Sequence, residues 1–399
     1  MRILRVQRPQ EIKQIMQDIR VDSYGVRIML PKAMHYLVRM NSLSNIAANI
    51  LKQEMLSLGG DVAVARGALT GKTKKTDCLL MGNLSQFNRL NEKLKIQPFG
   101  LNKIAQDLAC TLKNYQRDEF ILNLGRYRLD LGGRTRIMGI VNLTPDSFSG
   151  DGLYRQVPKK VLDYAQQIVR DGADMIDIGG ESSRPGAKEV PLKEELSRVI
   201  PVIKALAKRI KVPISVDTHK PEVARQALDN GAVMVNDITG LKDSKMAKAV
   251  AGYKAGVVIM HMKGNPRTMQ KNPKYISLID EVIDYLDEAI NRAQVAGIER
   301  EKIIIDPGIG FGKTLEHNLE ILNCLSDFKV LGRPILVGTS RKSFIGKILG
   351  ALPQERIFGT VSSCVLAARN GAKIVRVHDV KALKQALSVS DDINNICAG

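Results

Sequence analysis

Short apolar segments alternate with longer amphipathic segments along the last two thirds of the chain. Eight short runs dominated by apolar residues are typical of strands buried on both faces. They span residues 137–141, 175–178, 214–216, 233–235, 257–260, 303–305, 335–337 and 374–377. The stretches between and after them have the spacing of amphipathic helices, at 158–170, 192–210, 221–230, 244–251, 279–296, 314–325, 342–349 with 357–370, and 380–387.

Eight strands that are each followed by a helix match the count of a TIM barrel. The pattern therefore predicts an α/β fold with a (β/α)8 barrel, and a doubly wound open sheet is the alternative. Upstream, residues 120–124 and 127–131 flank Gly125-Arg126 and predict a β-hairpin at the bottom of the barrel. We expect the barrel and its hairpin to span residues 118–399.

The first 114 residues predict a smaller α/β domain. A helix is expected over residues 42–58, with Ser42 or Ser44 as its N-cap and Gly59-Gly60 as its end. Residues 62–65 and 77–81 predict strands, and residues 84–94 and 102–112 predict amphipathic helices. No function for this domain follows from the pattern.

Charge is the unusual feature of the composition. The 399 residues include 60 Lys and Arg against 41 Asp and Glu, a formal net charge of +19, of which about +10 falls on residues 1–130. Such an excess makes nucleic acid, a membrane surface or anionic small molecules the candidate partners. The apolar runs are far shorter than the roughly 20 residues that span a bilayer, and no secretory signal follows the N-terminal arginines, so a membrane partner is disfavoured.

The cysteines point to a reducing environment. Five cysteines are scattered without a CxxC pair, at positions 78, 110, 324, 364 and 397. An odd, dispersed set disfavours both a disulfide framework and a zinc cluster. We therefore expect a cytoplasmic protein.

Polar residues follow every predicted strand, and in a barrel these strand ends converge at one mouth. Asp217, Asn236 and Asp306 end three strands, and Lys342 follows a fourth. Two carboxylates and an amide suit a planar heterocycle that presents several N–H donors. Each residue alone could be a turn or a solvated charge, but eight accidents at one end of a barrel are improbable.

A second group at the same mouth suits an anion. Arg184, Arg376, His378 and Ser183 can bond phosphate oxygens, and Asn142 beside them could help to hold a hard cation such as Mg²⁺. The residues therefore predict a site for a heterocycle and a phosphorylated group. They do not name the substrate.

Residues 118–399 resemble the dihydropteroate synthase family. The resemblance is carried by seven segments in the family's order: Met138-Gly-Ile-Val-Asn-Leu-Thr-Pro-Asp-Ser-Phe-Ser149, Asp177-Ile-Gly-Gly-Glu-Ser-Ser-Arg-Pro-Gly186, Ile214-Ser-Val-Asp-Thr218, Asn236-Asp-Ile-Thr-Gly240, Ile305-Asp-Pro-Gly-Ile-Gly-Phe-Gly312, Ser340-Arg-Lys-Ser-Phe-Ile-Gly346 and Arg376-Val-His378. The family joins a pterin diphosphate to p-aminobenzoate in folate biosynthesis. The resemblance implies such a transferase, as a cytoplasmic homodimer that uses Mg²⁺.

The resemblance also implies a role for each site residue. The pterin would be held by Asp217, Asn236, Asp306 and Lys342. The diphosphate would be held by Asn142, Ser183, Arg184, Arg376 and His378, with Asn142 also at the Mg²⁺. The p-aminobenzoate pocket, where sulfonamides compete, would be shaped by Phe148, Pro185, Phe311 and Ser343. Catalysis would depend on Asn142, Asp306, Lys342, Arg376 and His378, under a lid that carries Thr144, Pro145 and Asp146.

Three positions depart from the family pattern. Ser183 stands where threonine is usual, His219 stands where an aromatic ring is common, and residues 149–152 read Ser-Gly-Asp-Gly instead of Ser-Asp-Gly-Gly. The serine keeps the hydroxyl, so the chemistry is expected to be unchanged. Residues 1–114 lie outside the resemblance.

Two other classes of function compete with the synthase. A pterin-binding methyltransferase would share the carboxylates and the amide, but it has no need of the segments that surround a diphosphate. A non-catalytic barrel would be expected to lose Asn142, Arg184, Arg376 and His378, which are all present. A nucleic-acid partner rests on charge alone, without an aromatic platform or a basic helix, and is disfavoured for the barrel.

Overall fold

The computed structural model describes residues 1–4, 6, 9–143, 159–182 and 186–395. Its contacts separate the chain into two units, one built on Met1–Lys113 and the other on Asn114–Ile393. Among the described residues, no helix is both long enough and apolar enough to cross a bilayer.

The N-terminal unit has a three-stranded antiparallel sheet in the order β1-β3-β2. Its strands are β1 (His35–Ser44), β2 (Asp61–Val64) and β3 (Lys75–Asn83). The helices of this part of the chain are α1 (Pro9–Asp18), α2 (Ser23–Ala33), α3 (Asn45–Ser57), α4 (Arg66–Leu69), α5 (Leu84–Lys95) and α6 (Leu101–Tyr115). The sequence pattern predicts α3, α5, α6 and parts of β2 and β3, but it misses α1, α2, β1 and α4.

The prediction of a helix from residue 42 is wrong at its start. Ser44 is the N-cap of α3, where its side chain accepts a hydrogen bond from the backbone N–H of Ala47. Ser42 lies in β1 instead, with a positive φ of 57°, and its backbone N–H donates to Asp77 Oδ1 at 2.9 Å. The pattern hides β1 because an apolar residue, Leu37, lies on its exposed face with 71% of its surface accessible.

The second unit begins with the predicted hairpin. Strands β4 (Ile121–Leu124) and β5 (Tyr127–Asp130) pair antiparallel, and Gly125 occupies the turn with a φ of 59°. A left-handed conformation of this kind favours glycine, because glycine has no Cβ and other residues would bring theirs too close to the backbone.

Eight parallel strands then close into a barrel in sequence order. They are β6 (Arg136–Asn142), β7 (Met175–Gly179), β8 (Ile214–Asp217), β9 (Met234–Asp237), β10 (Gly256–Met260), β11 (Ile303–Asp306), β12 (Ile335–Val337) and β13 (Ala372–Val377). Pairing of β13 with β6 completes the ring, so the TIM-barrel prediction is confirmed and an open sheet is excluded.

Helices surround the barrel and pack on the outward face of its strands. They are α7 (Lys159–Arg170), α8 (Leu192–Leu206), α9 (Pro221–Asp229), α10 (Ser244–Gly252), α11 (Leu278–Val295), α12 (Leu315–Asn323), α13 (Ser343–Leu349), α14 (Ile357–Arg369) and α15 (Val380–Asn395). The largest hydrophobic core fills the layer between these helices and the strands. The predicted helices match these positions, with differences at their ends.

The inward face of the barrel changes character from one end to the other. Near the N-terminal ends of the strands it is apolar, and the hairpin residues Leu122 and Leu124 pack into it. The barrel residues of this layer are Met138, Met175, Met234, Val258, Ile304, Leu336 and Ile374. At the carboxyl ends the inward positions are polar, and this is the end at which TIM barrels carry their sites.

Candidate active site

Arg376 lies at the centre of the polar end of the barrel. Its Nε donates to Asp177 Oδ2 at 2.6 Å, and its terminal nitrogen donates to Asp217 Oδ2 at 2.7 Å. Strands β13, β7 and β8 contribute these three residues. The guanidinium therefore bridges two carboxylates, and the structure brings Arg376 together with Asp217, a residue expected at the pterin.

Asp177 is a site residue that the sequence prediction missed. Its Oδ2 also accepts a hydrogen bond from Asn236 Nδ2 at 3.0 Å, so a single oxygen holds both Asn236 and Arg376. The side chain is fully buried, and its other oxygen has no hydrogen-bond partner within the described part of the chain. The available signal was an aspartate in the middle of an otherwise apolar five-residue strand, β7.

A second group forms around His378. Its Nδ1 lies 2.9 Å from Ser340 Oγ, and its Nε2 lies 3.4 Å from the amide nitrogen of Asn142. The backbone N–H of His378 donates to the same serine oxygen at 3.2 Å. Ser340 thus contacts both the ring and the backbone of His378, and the contacts of His378 bring the ends of β6, β12 and β13 together.

The third group is the turn that follows β11. Asp306 Oδ1 accepts a hydrogen bond from the backbone N–H of Gly308 at 2.7 Å. Phe311, on the same turn, is buried, and the Lys342 ammonium lies 4.1 Å from the centre of its ring. A contact at this distance is a cation–π interaction. The turn after β11 therefore brings Asp306 and Phe311 close to Lys342.

Burial raises the pKa of two carboxyl groups in the site, those of Asp306 and Asp217. It raises the pKa of Asp306 to about 6, while the Gly308 N–H and the charges of Lys342, Lys313 and Arg376 oppose the rise. Burial likewise raises the pKa of Asp217 to about 7, with Arg376 opposing the rise and Asp177 adding to it. A ligand that donates hydrogen bonds to these oxygens would stabilise their ionised forms.

An ion network at the carboxyl ends of β7 and β8 was also missed. Lys220 donates to Glu181 and to Glu195 Oε2, and Thr218 Oγ1 donates to Glu195 Oε1 at 2.7 Å. Glu195 is fully buried on α8, where an unpaired carboxylate would be costly. The network ties two strand-end loops to one helix.

The remaining predicted residues are placed as follows. Ser343 is exposed at the first position of α13, and His219 is partly buried after β8. Several predicted positions lie outside the described residues, namely Phe148, Ser183, Arg184 and Pro185, together with Thr144, Pro145, Asp146 and residues 149–152. Within the described ranges, no three side chains of His, Cys, Asp or Glu cluster as a metal site.

Residues 138–378 match the model of a protein family described as pterin binding enzyme. A protein of Synechocystis sp. named dihydropteroate synthase is 50% identical over 272 residues, which cover 68% of this chain and 94% of that protein. The chain belongs to the dihydropteroate synthase family of transferases. Neither a methyltransferase nor an unrelated basic protein has to be considered further for the barrel.

The solved structures agree with this assignment. A dihydropteroate synthase of Yersinia pestis, described as a sulfonamide drug complex, superimposes with a TM-score of 0.66 at 43% identity, over 69% of this chain and all of that one. These proteins therefore match the barrel, whereas the first third of the chain lies beyond their length.

The N-terminal unit has relatives elsewhere. A protein of Halobacterium salinarum, named as a probable bifunctional folylpolyglutamate synthase/dihydropteroate synthase, is 40% identical over 367 residues, or 92% of this chain and 44% of that protein. An alignment of that length has to include most of the N-terminal unit as well as the barrel. The extension is therefore shared with a second protein that contains a synthase.

Proposed function

We propose that the barrel condenses 6-hydroxymethyl-7,8-dihydropterin diphosphate with p-aminobenzoate to give 7,8-dihydropteroate and diphosphate. The observation that carries the proposal is the convergence of Asp217, Asn236 and Asp306 around Arg376, with the pair of His378 and Asn142 at the same end of the barrel, in a chain of the synthase family. This mouth offers acceptors for a heterocycle next to donors for an anion.

The pterin is assigned to Asp217, Asn236, Asp306 and Lys342. A pterin presents ring and amino N–H groups in one plane, and ionised carboxylates are strong acceptors for such donors. Bound in this way, the ring gains electron density from Asp306 and Asp217. That density stabilises the positive charge that develops on the methylene carbon as the diphosphate departs.

The diphosphate is assigned to Asn142, His378 and Arg376, with Ser183 and Arg184. Ser340 engages Nδ1 of His378, so Nε2 is the ring nitrogen that would turn to a phosphate oxygen, in exchange for its present contact with the amide nitrogen of Asn142 at 3.4 Å. Arg376 can fork onto phosphate oxygens in the way that it now forks onto Asp177 and Asp217. These donors stabilise the negative charge of the leaving group.

The second substrate is assigned to Phe311 and Ser343, with Phe148 and Pro185. The aniline nitrogen attacks the methylene carbon, a C–N bond forms, and the C–O bond to the diphosphate breaks with its electron pair on oxygen. The nitrogen then releases one proton to solvent. No covalent bond to the protein is required, and sulfonamides would compete for the same pocket.

Magnesium fits this site as a partner of the diphosphate. The amide oxygen of Asn142 is a hard donor of the type that Mg²⁺ takes, and the ion usually keeps several waters and binds through substrate phosphates. One protein oxygen is therefore a sufficient protein contribution. When bound, Mg²⁺ would neutralise charge on the diphosphate oxygens.

We also propose a homodimer that forms through α13 and α14. These helices expose a group of large apolar side chains, of which Phe358 is 81% accessible. The others are Ile348, Leu349 and Leu366 on these helices and Leu352 on the segment between them. Exposed apolar patches of this kind mark protein interfaces. Analytical ultracentrifugation of the wild-type chain and of Phe358→Asp tests the proposal, and a monomeric wild-type chain would contradict it.

A cytoplasmic location is proposed on the state of the cysteines. Among the described residues, Cys78, Cys324 and Cys364 are free thiols, as expected in a reducing compartment. Cell fractionation with detection of the full chain tests this.

The deciding experiment is a coupled assay with the pterin diphosphate, p-aminobenzoate and Mg²⁺. Formation of 7,8-dihydropteroate with release of diphosphate is the expected result. If no product forms, calorimetry with the pterin diphosphate alone shows whether the substrate binds. Binding without product formation would overturn the synthase reaction and support a non-catalytic barrel, whereas no binding would overturn the site assignment itself.

A further inference from the structure

A buried lysine lies beneath the turn that carries Asp306 and Phe311. Lys313 is only 2% exposed, and its ammonium donates to His261 Nδ1 at 2.8 Å and to the backbone carbonyl of Phe311 at 3.1 Å. His261, at the end of β10, is itself 4% exposed. Lysine is among the residues least often fully buried, so its presence here calls for a physical reason.

The turn is packed tightly against the end of β10 at this point. A Cβ on Gly308 would lie 1.9 Å from the carbonyl oxygen of His261 and 3.4 Å from Lys313 Nζ. Gly308 also has a positive φ of 74°, so glycine is required on both counts. Lys313 Nζ therefore lies next to the residue whose N–H holds the Asp306 carboxylate.

The lysine and the aspartate affect each other's charge. Burial lowers the pKa of Lys313 to about 7, and the Asp306 carboxylate opposes that fall. In return, the Lys313 charge lowers the pKa of Asp306, as do Lys342 and Arg376. The other charged or titratable groups that face Lys313 are Lys342, Lys263 and His261. Burial, together with Lys313, lowers the pKa of His261, so this ring is a neutral acceptor.

We propose that Lys313 is a positioning residue for the condensation, which supplies the countercharge behind Asp306 and holds the carbonyl of Phe311. The inference rests on the proposed function, since it takes Asp306 as a pterin ligand and Phe311 as a wall of the p-aminobenzoate pocket. One ammonium group therefore positions the pterin ligand Asp306 relative to Phe311 in the p-aminobenzoate pocket. Lys313 itself touches neither substrate.

Substitutions of Lys313 can distinguish the effect of its charge from the effect of its packing. Lys313→Met keeps most of the length of the side chain and removes the charge, and Lys313→Arg keeps the charge. The matched control is Lys248→Met, on the exposed side of α10. Binding of 6-hydroxymethyl-7,8-dihydropterin is measured by calorimetry at pH 6.5 and pH 8.5, under conditions that exclude oxygen.

We expect the pH midpoint of pterin binding to rise in Lys313→Met, because Asp306 loses a charge that favours its ionised form. At pH 6.5 this weakens binding about threefold. At pH 8.5 the wild-type lysine is itself mostly neutral and Asp306 is ionised, so binding is unchanged. The KM for p-aminobenzoate rises at both pH values. Lys313→Arg keeps the midpoint of the wild-type chain.

The outcomes separate this inference from the proposed function. If the wild-type chain forms no 7,8-dihydropteroate, the proposed function fails. If it does, and Lys313→Met binds the pterin with an unchanged midpoint, or is weakened equally at both pH values, the countercharge role is overturned. Thermal unfolding reports whether Lys313→Met is folded. If it is not, Lys313→Gln takes its place with the same expectation for pterin binding, whereas the KM for p-aminobenzoate should stay unchanged because the amide retains a donor for the Phe311 carbonyl.

Discussion

The two ends of the barrel are built from inward-facing positions of the same eight strands, yet their physical properties are opposite. At the N-terminal end, Met138, Met175 and Met234 pack against Leu122 and Leu124 of the hairpin in a layer that is mostly apolar. At the carboxyl end, the corresponding positions carry a set of charged and amide side chains that bond one another.

The polar end is held by contacts that a ligand can replace. Arg376 bridges Asp177 and Asp217, and two of the carboxylates there have raised pKa values. Burial of such charged groups destabilises the folded state, whereas burial of the apolar side chains at the other end stabilises it. The comparison indicates that stability is concentrated at one end of the barrel and chemistry at the other, and the following changes test that division.

The largest effect is expected from Arg376→Ala. The change leaves the carboxylates of Asp177 and Asp217 buried without their guanidinium and removes a donor from the diphosphate. We expect kcat/KM to fall by roughly a thousandfold in the coupled assay. Lys342→Ala should also cost orders of magnitude, since Lys342 lies against Phe311 and favours ionised Asp306. Wild-type turnover in either variant would refute its assignment.

Asp306→Asn is expected to separate activity from stability. Loss of the carboxylate removes a strong acceptor for the pterin, so kcat/KM should fall by roughly a hundredfold. The free energy of unfolding at pH 8 should rise, because a carboxyl whose pKa is raised to about 6 by burial destabilises the folded state once it is ionised. Calorimetric melting at pH 8 and pH 5 measures the second effect, and the difference between variant and wild type should shrink at pH 5.

The pH dependence of the wild-type chain follows from the same groups. Asp306 and Asp217 take up protons as the pH falls through about 7 to 6, so kcat/KM should fall several-fold between pH 7.5 and pH 5.5. The global stability should not fall over this range on account of these two carboxyls, since their raised pKa values favour the folded state at lower pH. A pH profile that is flat down to 5 would contradict the predicted need for ionised carboxylates.

At the apolar end, Leu122→Ala should change stability and leave the chemistry intact. Leu122, on strand β4 of the hairpin, is fully buried, and its truncation should cost about 2–5 kcal/mol in the free energy of unfolding. The matched control is Ile121→Ala on the same strand, where the side chain is exposed. Denaturant unfolding measures both, and kcat/KM of the folded Leu122→Ala chain should stay within twofold of wild type. A large loss of kcat/KM would show that the two ends are coupled.

The smallest effect is expected from removal of the N-terminal unit. A chain that begins at Gln116 retains every site residue proposed here, and the Synechocystis relative matches this chain over 94% of its own length with only 68% of this chain. We expect its kcat/KM to be within about threefold of the full chain. Loss of activity with retained secondary structure would assign the N-terminal unit a part in assembly or in the site.

The fold of the barrel was predictable because its strands are short, apolar and evenly spaced. The same argument fails for β1 of the N-terminal unit, where Leu37 lies on the exposed face and Ser42 interrupts the regular pairing with β3. The sequence of β1 is therefore neither a continuous apolar run, as in the barrel strands, nor a regular alternation of apolar and polar residues. The net charge of the first third, about +10, has no explanation in the structure of that unit.

The candidate site was predictable as a set of residues but not as a set of contacts. Asp217, Asn236, Asp306, Arg376 and His378 follow from their places at strand ends. Asp177 was missed because it lies inside β7, and Lys313 was given no role because its sequence neighbours form a glycine-rich turn.

The sequence by itself determined the barrel, the end at which its polar residues collect, and the family to which it belongs, because these depend on local periodicity and on contiguous motifs. Only the tertiary structure decided that Arg376 pairs with Asp177, 199 positions away, and that Lys313 lies between His261 and Phe311. Such contacts depend on closure of the barrel, which brings β13 beside β6 and the turn after β11 onto the end of β10. No local pattern of apolar and polar residues records those distances.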